Sequence, residues 1–552
     1  MTDADVIVVG AGLAGLAATR ELALAGHRVI LVDQESEQTL GGQARWSLGG
    51  LFLVGTPEQR LAGVRDGHDL ALADWLASAG FDEQGQDRWP RRWAEAYVDF
   101  ASGEKRRHLR SLGVRLALPV MWPERGSGSA RGPGNSVPRF HLTWGSGPGI
   151  VAAFAGPVLE AAAEGRVSLR FHHRVDGLVT QGGSVTGVRG RLLAPDAATS
   201  SAPNSRDTVG DFELRAGCVL AAAGGMGGSE ELIHKHWPTE RLGPAPEELL
   251  IGVPPHVDGR MLSIVAAAGG SVIHLNRMWH YPDGVGHAEP AWPRHGVRVL
   301  AGPSPLWLDA TGRRLPAPFF PGHDSLGPLG HVIGAGHAHS WLVLTRSMAE
   351  RELTLSGSDQ NTALAERDLR AYLTGLTARV PTSVQTLIRH REDLVVHSTL
   401  RGLVDGMNAL TPASPLDYAR VKREVRARDE QMSRAYSKDF QSMAVRNARA
   451  YWPDRLFKVA SPHALLDRRH GPLLAVRLRP LTRKTLGGLE TDLSARVLRC
   501  DGSALDGLFA AGEAAGFGGG GMHGHRALEG TFLGGCVFSG LTAGRAIASA
   551  LG

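Results

Sequence analysis

The chain has 552 residues, 43% hydrophobic and 21% charged, with Lys+Arg 60 against Asp+Glu 55. That length exceeds a single core and predicts two or three domains, while the slight, interspersed positive excess excludes an electrostatic nucleic-acid surface. Cys218, Cys500 and Cys536 have neither paired nor metal-ligand spacing, which excludes a disulfide framework and a cysteine-based metal centre.

The first residues carry no basic n-region, apolar h-region or twin arginine, so a soluble, cytoplasmic protein is expected. Val6 to Val9 is a β-branched run that reads as a fully buried strand. It breaks into Gly10-Ala11-Gly12-Leu13-Ala14-Gly15, which opens a helix of small apolar residues closed by Gly26. A second buried strand, Val29 to Val32, then delivers Asp33 and Gln34. In such a unit the first glycine permits the turn, the second lets backbone approach a pyrophosphate, and the third lets helix and strand pack closely. The helix N-terminus receives the phosphate charge, and an acid about 20 residues on suits a ribose hydroxyl. Gly41, Gly42, Gln43, Ser47, Gly49 and Gly50 follow, either as backbone lying against a flat ligand or as a plain surface loop. Residues 58–112 have helical spacing, and the basic cluster Lys105 to His108 with Arg110 reads as a solvated helix face. Residues 123–138, rich in Gly, Ser, Pro and Arg, read as a mobile loop.

Helical spacing returns near Ile150 to Glu164, then strands at Ser168–Phe171, Val175–Thr180 and Val185–Val188, the last two joined by a Gly182-Gly183 turn. Residues 193–208 read as an insertion with a disordered tip. Cys218 to Gly225 is another buried strand breaking into glycines, where the chain would rejoin the main sheet at Ala223 and Gly224. Between about 271 and 483 the composition shifts to more Trp, His, Pro and Arg, as in a second domain inserted into the first. The return is marked by Lys484-Thr485-Leu486-Gly487-Gly488, and the glycine-dense stretch 516–535 precedes a closing helix too rich in glycine and alanine to span a membrane.

Ala221 to Gly225, Val257-Asp258-Gly259, Gly487 to Asp492 and Gly507 to Gly516 together resemble motifs of the fumarate reductase and 3-ketosteroid dehydrogenase superfamily of flavoproteins. The resemblance implies an α/β fold, with a Rossmann-type FAD-binding domain in residues 1–270 and 484–552 and an inserted α+β cap over 271–483. It implies non-covalent FAD, with Val175, Gly512 and Glu513 at the cofactor and Thr531-Phe532-Leu533 starting a helix aimed at the flavin. A helix N-terminus there would stabilise the negative charge of a reduced flavin. It also implies hydride transfer between flavin N5 and a carbon–carbon bond beside a carbonyl, on a small apolar substrate, with a separate electron acceptor or donor.

In the family's terms, His280-Tyr281-Pro282 falls at a substrate segment, and either His280 or Tyr281 would face the flavin. Arg526 aligns with the substrate arginine of the fumarate reductases, and Lys484 stands where those enzymes have histidine. The resulting expectation is that Arg526 and the His280-Tyr281 pair face the flavin from opposite sides, with His523 and His525 nearby. Arg298 and Arg401 are further arginines suited to substrate or to surface ion pairs. A dicarboxylate reductase, or a flavoprotein that binds or senses without such chemistry, are the alternatives.

Overall fold

The computed structural model describes residues 2–82, 85–126, 134–195, 204–377, 385, 387–388 and 392–552. The centre of the expected mobile loop (127–133) and the tip of the expected insertion (196–203) lie outside the described residues. The loop's described flanks are tied down, since Arg125 N–H donates to Gly322 O at 2.7 Å and Trp122 Nε1 donates to Asn135 O at 2.8 Å.

Strand β1 (Ala4–Val9) leads through helix α1 (Leu13–Leu24) to β2 (Val29–Val32), which runs parallel to it with Val6 beside Val29. On the other side β1 pairs in parallel with Thr208–Ala221, which in turn pairs in parallel with Ala504–Ala510. Val167–Arg170 closes the far edge beside β2. A parallel sheet is covered on both faces, so its strands read as continuous apolar runs. Val6 and Val8 accordingly point into one core, with α1 and the final helix Thr531–Leu551. Ile7 and Val9 point into another, with Val175, Val185 and Val188. The final helix lies against α1 at close range, because a Cβ at Gly540 would stand 2.4 Å from Ala14 O.

A second, mostly antiparallel sheet has the strand order Leu306–Asp309, Ser340–Thr345, Leu473–Thr485, Met278–Gly286, Gly296–Ala301 and Leu353–Leu355. Leu473–Thr485 is its spine and also pairs with Leu250–Ile251 and Leu394–His397. Among the described residues no strand between 271 and 483 joins the parallel sheet, although the second sheet recruits Leu250–Ile251 from before that range. The two halves meet where the spine ends at Thr485 and the chain turns back toward the cofactor motifs.

Helix Ser146–Ala163 is long and apolar enough to cross a membrane by length and composition alone. It packs on α1, with Ile150, Phe154 and Val158 fully buried, and so serves as a core helix. The basic cluster differs from expectation. Lys105 is fully buried, donating to Phe52 O at 2.8 Å and Tyr97 Oη at 2.6 Å, and Arg106 pairs with Glu58 at 2.6 Å. Only part of that helix face is solvated, because its first residue caps internal oxygens.

Candidate active site

The turn after β1 contains two kinds of glycine. A Cβ on Gly10, whose φ is +106°, would stand 2.5 Å from Ala222 O, and one on Gly15 would stand 2.0 Å from Gly10 O. Both are demanded by the protein's own backbone. Gly12 is different: a Cβ there meets nothing within 4 Å and would project into open space at the mouth of α1. The first N–H groups of that helix have no intrahelical partner, and its first turn carries no acidic side chain. Asp33, at the end of β2, accepts from Ala11 N at 2.7 Å and from Glu35 N at 2.9 Å. Each carboxylate oxygen can accept once more. Burial holds the Asp33 carboxyl above the ordinary range. A cradle at Gly12 that a side chain would fill, helix N–H donors without an intrahelical partner and a buried acceptor fit a dinucleotide, and FAD matches the long cavity that starts there.

That cavity runs from Gly10 between the two sheets to Tyr281 and Arg298. Of the residues expected at the cofactor, Gly15, Gly49 and Thr531 lie behind the wall, and all the others line it. Gly49 is packed against Ser146, and Thr531 Oγ1 bonds His523 Nε2 at 2.9 Å. The loop at Gly41 is laid against the glycine turn by a bond from Gly41 N to Ala11 O at 2.9 Å. Glu513 anchors a polar chain along one wall. Its carboxylate accepts from Thr485 N at 2.8 Å and from Gln43 Nε2 at 2.6 Å, and Gln43 Oε1 accepts from Lys484 Nζ at 2.6 Å. Burial depresses the Lys484 ammonium and pushes the Cys536 thiol up to about 12, which leaves that cysteine an unreactive wall residue.

The far end of the cavity is set by Met278–Gly286, whose successive side chains point to opposite faces. Tyr281 lines the cavity. His280 turns away and stacks on Trp237 at 4.6 Å, fully buried, with neither ring nitrogen partnered among the described residues. Burial takes its pKa down to about 3, so it is a neutral core ring. Arg298, on the next strand, places its guanidinium 4.2 Å from the centre of the Tyr281 ring. It is ion-paired with Asp283 at 3.2 Å and with Glu529 at 2.5 Å, and it donates to Ser325 Oγ at 3.2 Å. These carboxylates hold the guanidinium's proton more firmly than usual, against the burial that works the other way. Burial also raises the Tyr281 phenol above its ordinary range.

Arg526 does not line the cavity; it pairs with Asp324 at 3.2 Å and is 37% exposed. The expected opposition of Arg526 to a His280-Tyr281 pair is therefore replaced by an arrangement in which Glu529, three residues further on, reaches Arg298. His523 stacks on Trp75 and His525 bonds Arg241, neither of them in the wall, and Arg401 lies over Tyr418 elsewhere. Sequence reasoning did not find Glu529, Ser356 or Arg483. Ser356 Oγ accepts from Arg298 N at 3.2 Å and from Arg483 Nη1 at 3.4 Å, and Arg483 Nε is buried without a partner among the described residues. Ser356 carries no local signal. Arg483 sits beside the recognised Lys484-Thr485 segment, and Glu529 immediately precedes the glycine that caps the last helix.

Fold and cradle define a dinucleotide-binding flavoprotein with a second sheet closing over its site. The FAD binding domain family matches residues 5–533, and the chain belongs to that family as an FAD-dependent oxidoreductase. A KsdD-like steroid dehydrogenase of Mycobacterium tuberculosis is 54% identical over 99% of this chain and 96% of its own. Among solved structures, 3-ketosteroid Δ1-dehydrogenase from Sterolibacterium denitrificans with 1,4-androstadiene-3,17-dione superposes with TM-score 0.68 at 16% identity, covering 99% of both chains. An open flavocytochrome c3 fumarate reductase gives TM-score 0.63 at 21% identity, covering 99% of this chain and 78% of that one. At those identities the structures share the fold alone.

Proposed function

We propose that the protein oxidises the carbon–carbon bond beside the carbonyl of an apolar ketone of the 3-ketosteroid type, with non-covalently held FAD and a separate electron acceptor, in the cytoplasm. In this reading residues 1–270 and 484–552 hold the cofactor and 271–483 cap it. The observation that carries it is the charge at the substrate end. Arg298 is neutralised by Asp283 and Glu529, and Arg526 is already paired outside the cavity. A dicarboxylate would meet the Glu529 carboxylate there, with Arg298 and Arg526 already ion-paired and Arg483 left to hold one of its two charges, whereas Phe140, Leu48 and Leu300 offer apolar wall. The high identity to steroid dehydrogenases points the same way.

Bound FAD supplies the hydride acceptor. The chain's residues do the rest. Gly12, Asp33, Gln43 and Glu513 hold and orient the cofactor, and the second sheet excludes water from the reacting carbon. Tyr281 Oη takes the proton from the carbon next to the carbonyl, and Arg298 over its ring offsets part of the burial and the Glu529 charge that keep the phenol protonated. Arg483, whose buried Nε has no partner among the described residues, is the cation placed to stabilise charge developing on the carbonyl oxygen. Incubation with a 3-keto-4-ene steroid and an artificial electron acceptor tests the reading by product mass. A loss of two hydrogens is expected. Unchanged steroid, with succinate consumed instead, would overturn it.

A further inference from the structure

The exposed apolar side chains are unevenly spread. Among the described residues every exposed large aromatic lies between 436 and 452: Tyr436 at 97%, Phe440 and Trp452 at 39% each. Met443 at 55% and Leu456 at 49% belong to the same stretch. Phe440 and Met443 sit one turn apart on the helix Phe440–Ala450, so they share a face. Contiguous apolar surface with a polar rim marks an interaction site, and here the rim is mostly cationic. Residues 434–458 carry Arg434, Lys438, Arg446, Arg449, Arg455 and Lys458 against only Asp439 and Asp454. Both acids are turned inward and paired, Asp439 with Arg314 at 2.7 Å and Asp454 with Arg125 at 2.9 Å. The cations Arg434, Lys438 and Arg455 remain exposed, Arg434 in a loose surface pair with Glu430 at 3.8 Å.

We propose that residues 434–458 dock the protein on an anionic lipid bilayer. Tyr and Trp suit the headgroup boundary, Met and Leu the acyl edge, and the cations the negative surface, which is the composition of an interfacial element lying in the membrane plane. A second copy of this chain fits less well, because a two-fold contact through the patch would bring its cations against one another. The placement also makes chemical sense. Lys458, at the end of the segment, lines a small chamber of about 40 Å³ that shares Phe140, Arg298 and Leu300 with the main cavity. The docked face thus lies beside the substrate end of the site, where an apolar molecule dissolved in the bilayer would arrive.

Co-sedimentation of the full-length holoprotein with phosphatidylcholine vesicles, with and without phosphatidylglycerol, is the test. Pelleting with the anionic vesicles alone, and its loss at high salt, is expected. The Arg434→Glu/Lys438→Glu/Arg455→Glu variant should bind at least tenfold more weakly, since each surface cation contributes about fivefold. The Tyr436→Ser/Met443→Ser/Trp452→Ser variant, at exposed positions, should lose binding while melting like the wild type. Wild-type protein left in the supernatant with anionic vesicles would overturn the proposal, as would variants that pellet like the wild type. So would light scattering that shows a wild-type dimer which the variants convert to monomers.

Discussion

Replacing Tyr281 with Phe removes a single oxygen from the substrate end of the cavity. Tyr281 is 4% exposed, and its ring is held by Arg298 at 4.2 Å, a contact that Phe keeps. No hydrogen bond from the phenol to another described residue is lost, so folding stability should change by less than about 1 kcal/mol. FAD content should stay the same, because the cradle at Gly12 and the Glu513 chain are untouched. The rate of flavin reduction by substrate should instead fall by about 10²–10⁴-fold, the usual contribution of a positioned proton acceptor. The raised phenol adds a pH signature. Below its pKa the phenolate fraction grows about tenfold per pH unit, so the wild-type rate should climb with pH while the Phe variant stays flat. Anaerobic stopped-flow mixing across neutral and mildly alkaline pH reads both quantities. A Phe variant reduced at nearly the wild-type rate, or a wild-type rate independent of pH, would remove Tyr281 from the chemistry.

Gly12→Val should yield a folded protein without flavin, read from absorbance and circular dichroism, because its Cβ meets no protein atom within 4 Å and the side chain projects into the open cradle. Gly15→Ala should destabilise the fold by about 1–3 kcal/mol in urea unfolding, since its methyl strikes the backbone of the glycine turn itself. His280 is held near pKa 3 by burial and has an ordinary value of 6.5, so the unfolded chain binds the extra proton between those limits. Stability is therefore complete above 6.5 and is lost as pH falls, by roughly 2 kcal/mol at pH 5 from this ring alone. Unfolding at pH 7 and pH 5 should show a smaller acid loss in His280→Phe than in the wild type, with flavin reduction unaffected. Equal losses would contradict the burial argument.

What the sequence made legible was local and covalently contiguous. The β1–α1–β2 unit could be read because glycine spacing, β-branched runs and a terminal acid are all enforced within thirty-odd residues by backbone contacts such as Gly15 against Gly10 O. The second sheet's composition was visible, but its recruitment of Leu250–Ile251 was not, since a two-residue strand has no period to read. The substrate end depends on distance in three dimensions. Tyr281 and His280 are adjacent and both suited to proton transfer, and only the strand's alternation sends one to the cavity and the other to Trp237. Arg526 and Glu529 lie on one glycine-rich turn, and no spacing rule says which reaches inward. Lys105 looked solvated within its basic run, because the oxygens of Phe52 and Tyr97 that it caps come from elsewhere in the fold.

The most direct test is the anaerobic titration of the purified holoprotein, following flavin absorbance, with a 3-keto-4-ene steroid and in parallel with succinate. An apolar ketone recognised beside a neutralised Arg298 should bleach the flavin stoichiometrically, while succinate leaves it oxidised. Bleaching by succinate with the steroid inert would contradict the assignment of the site.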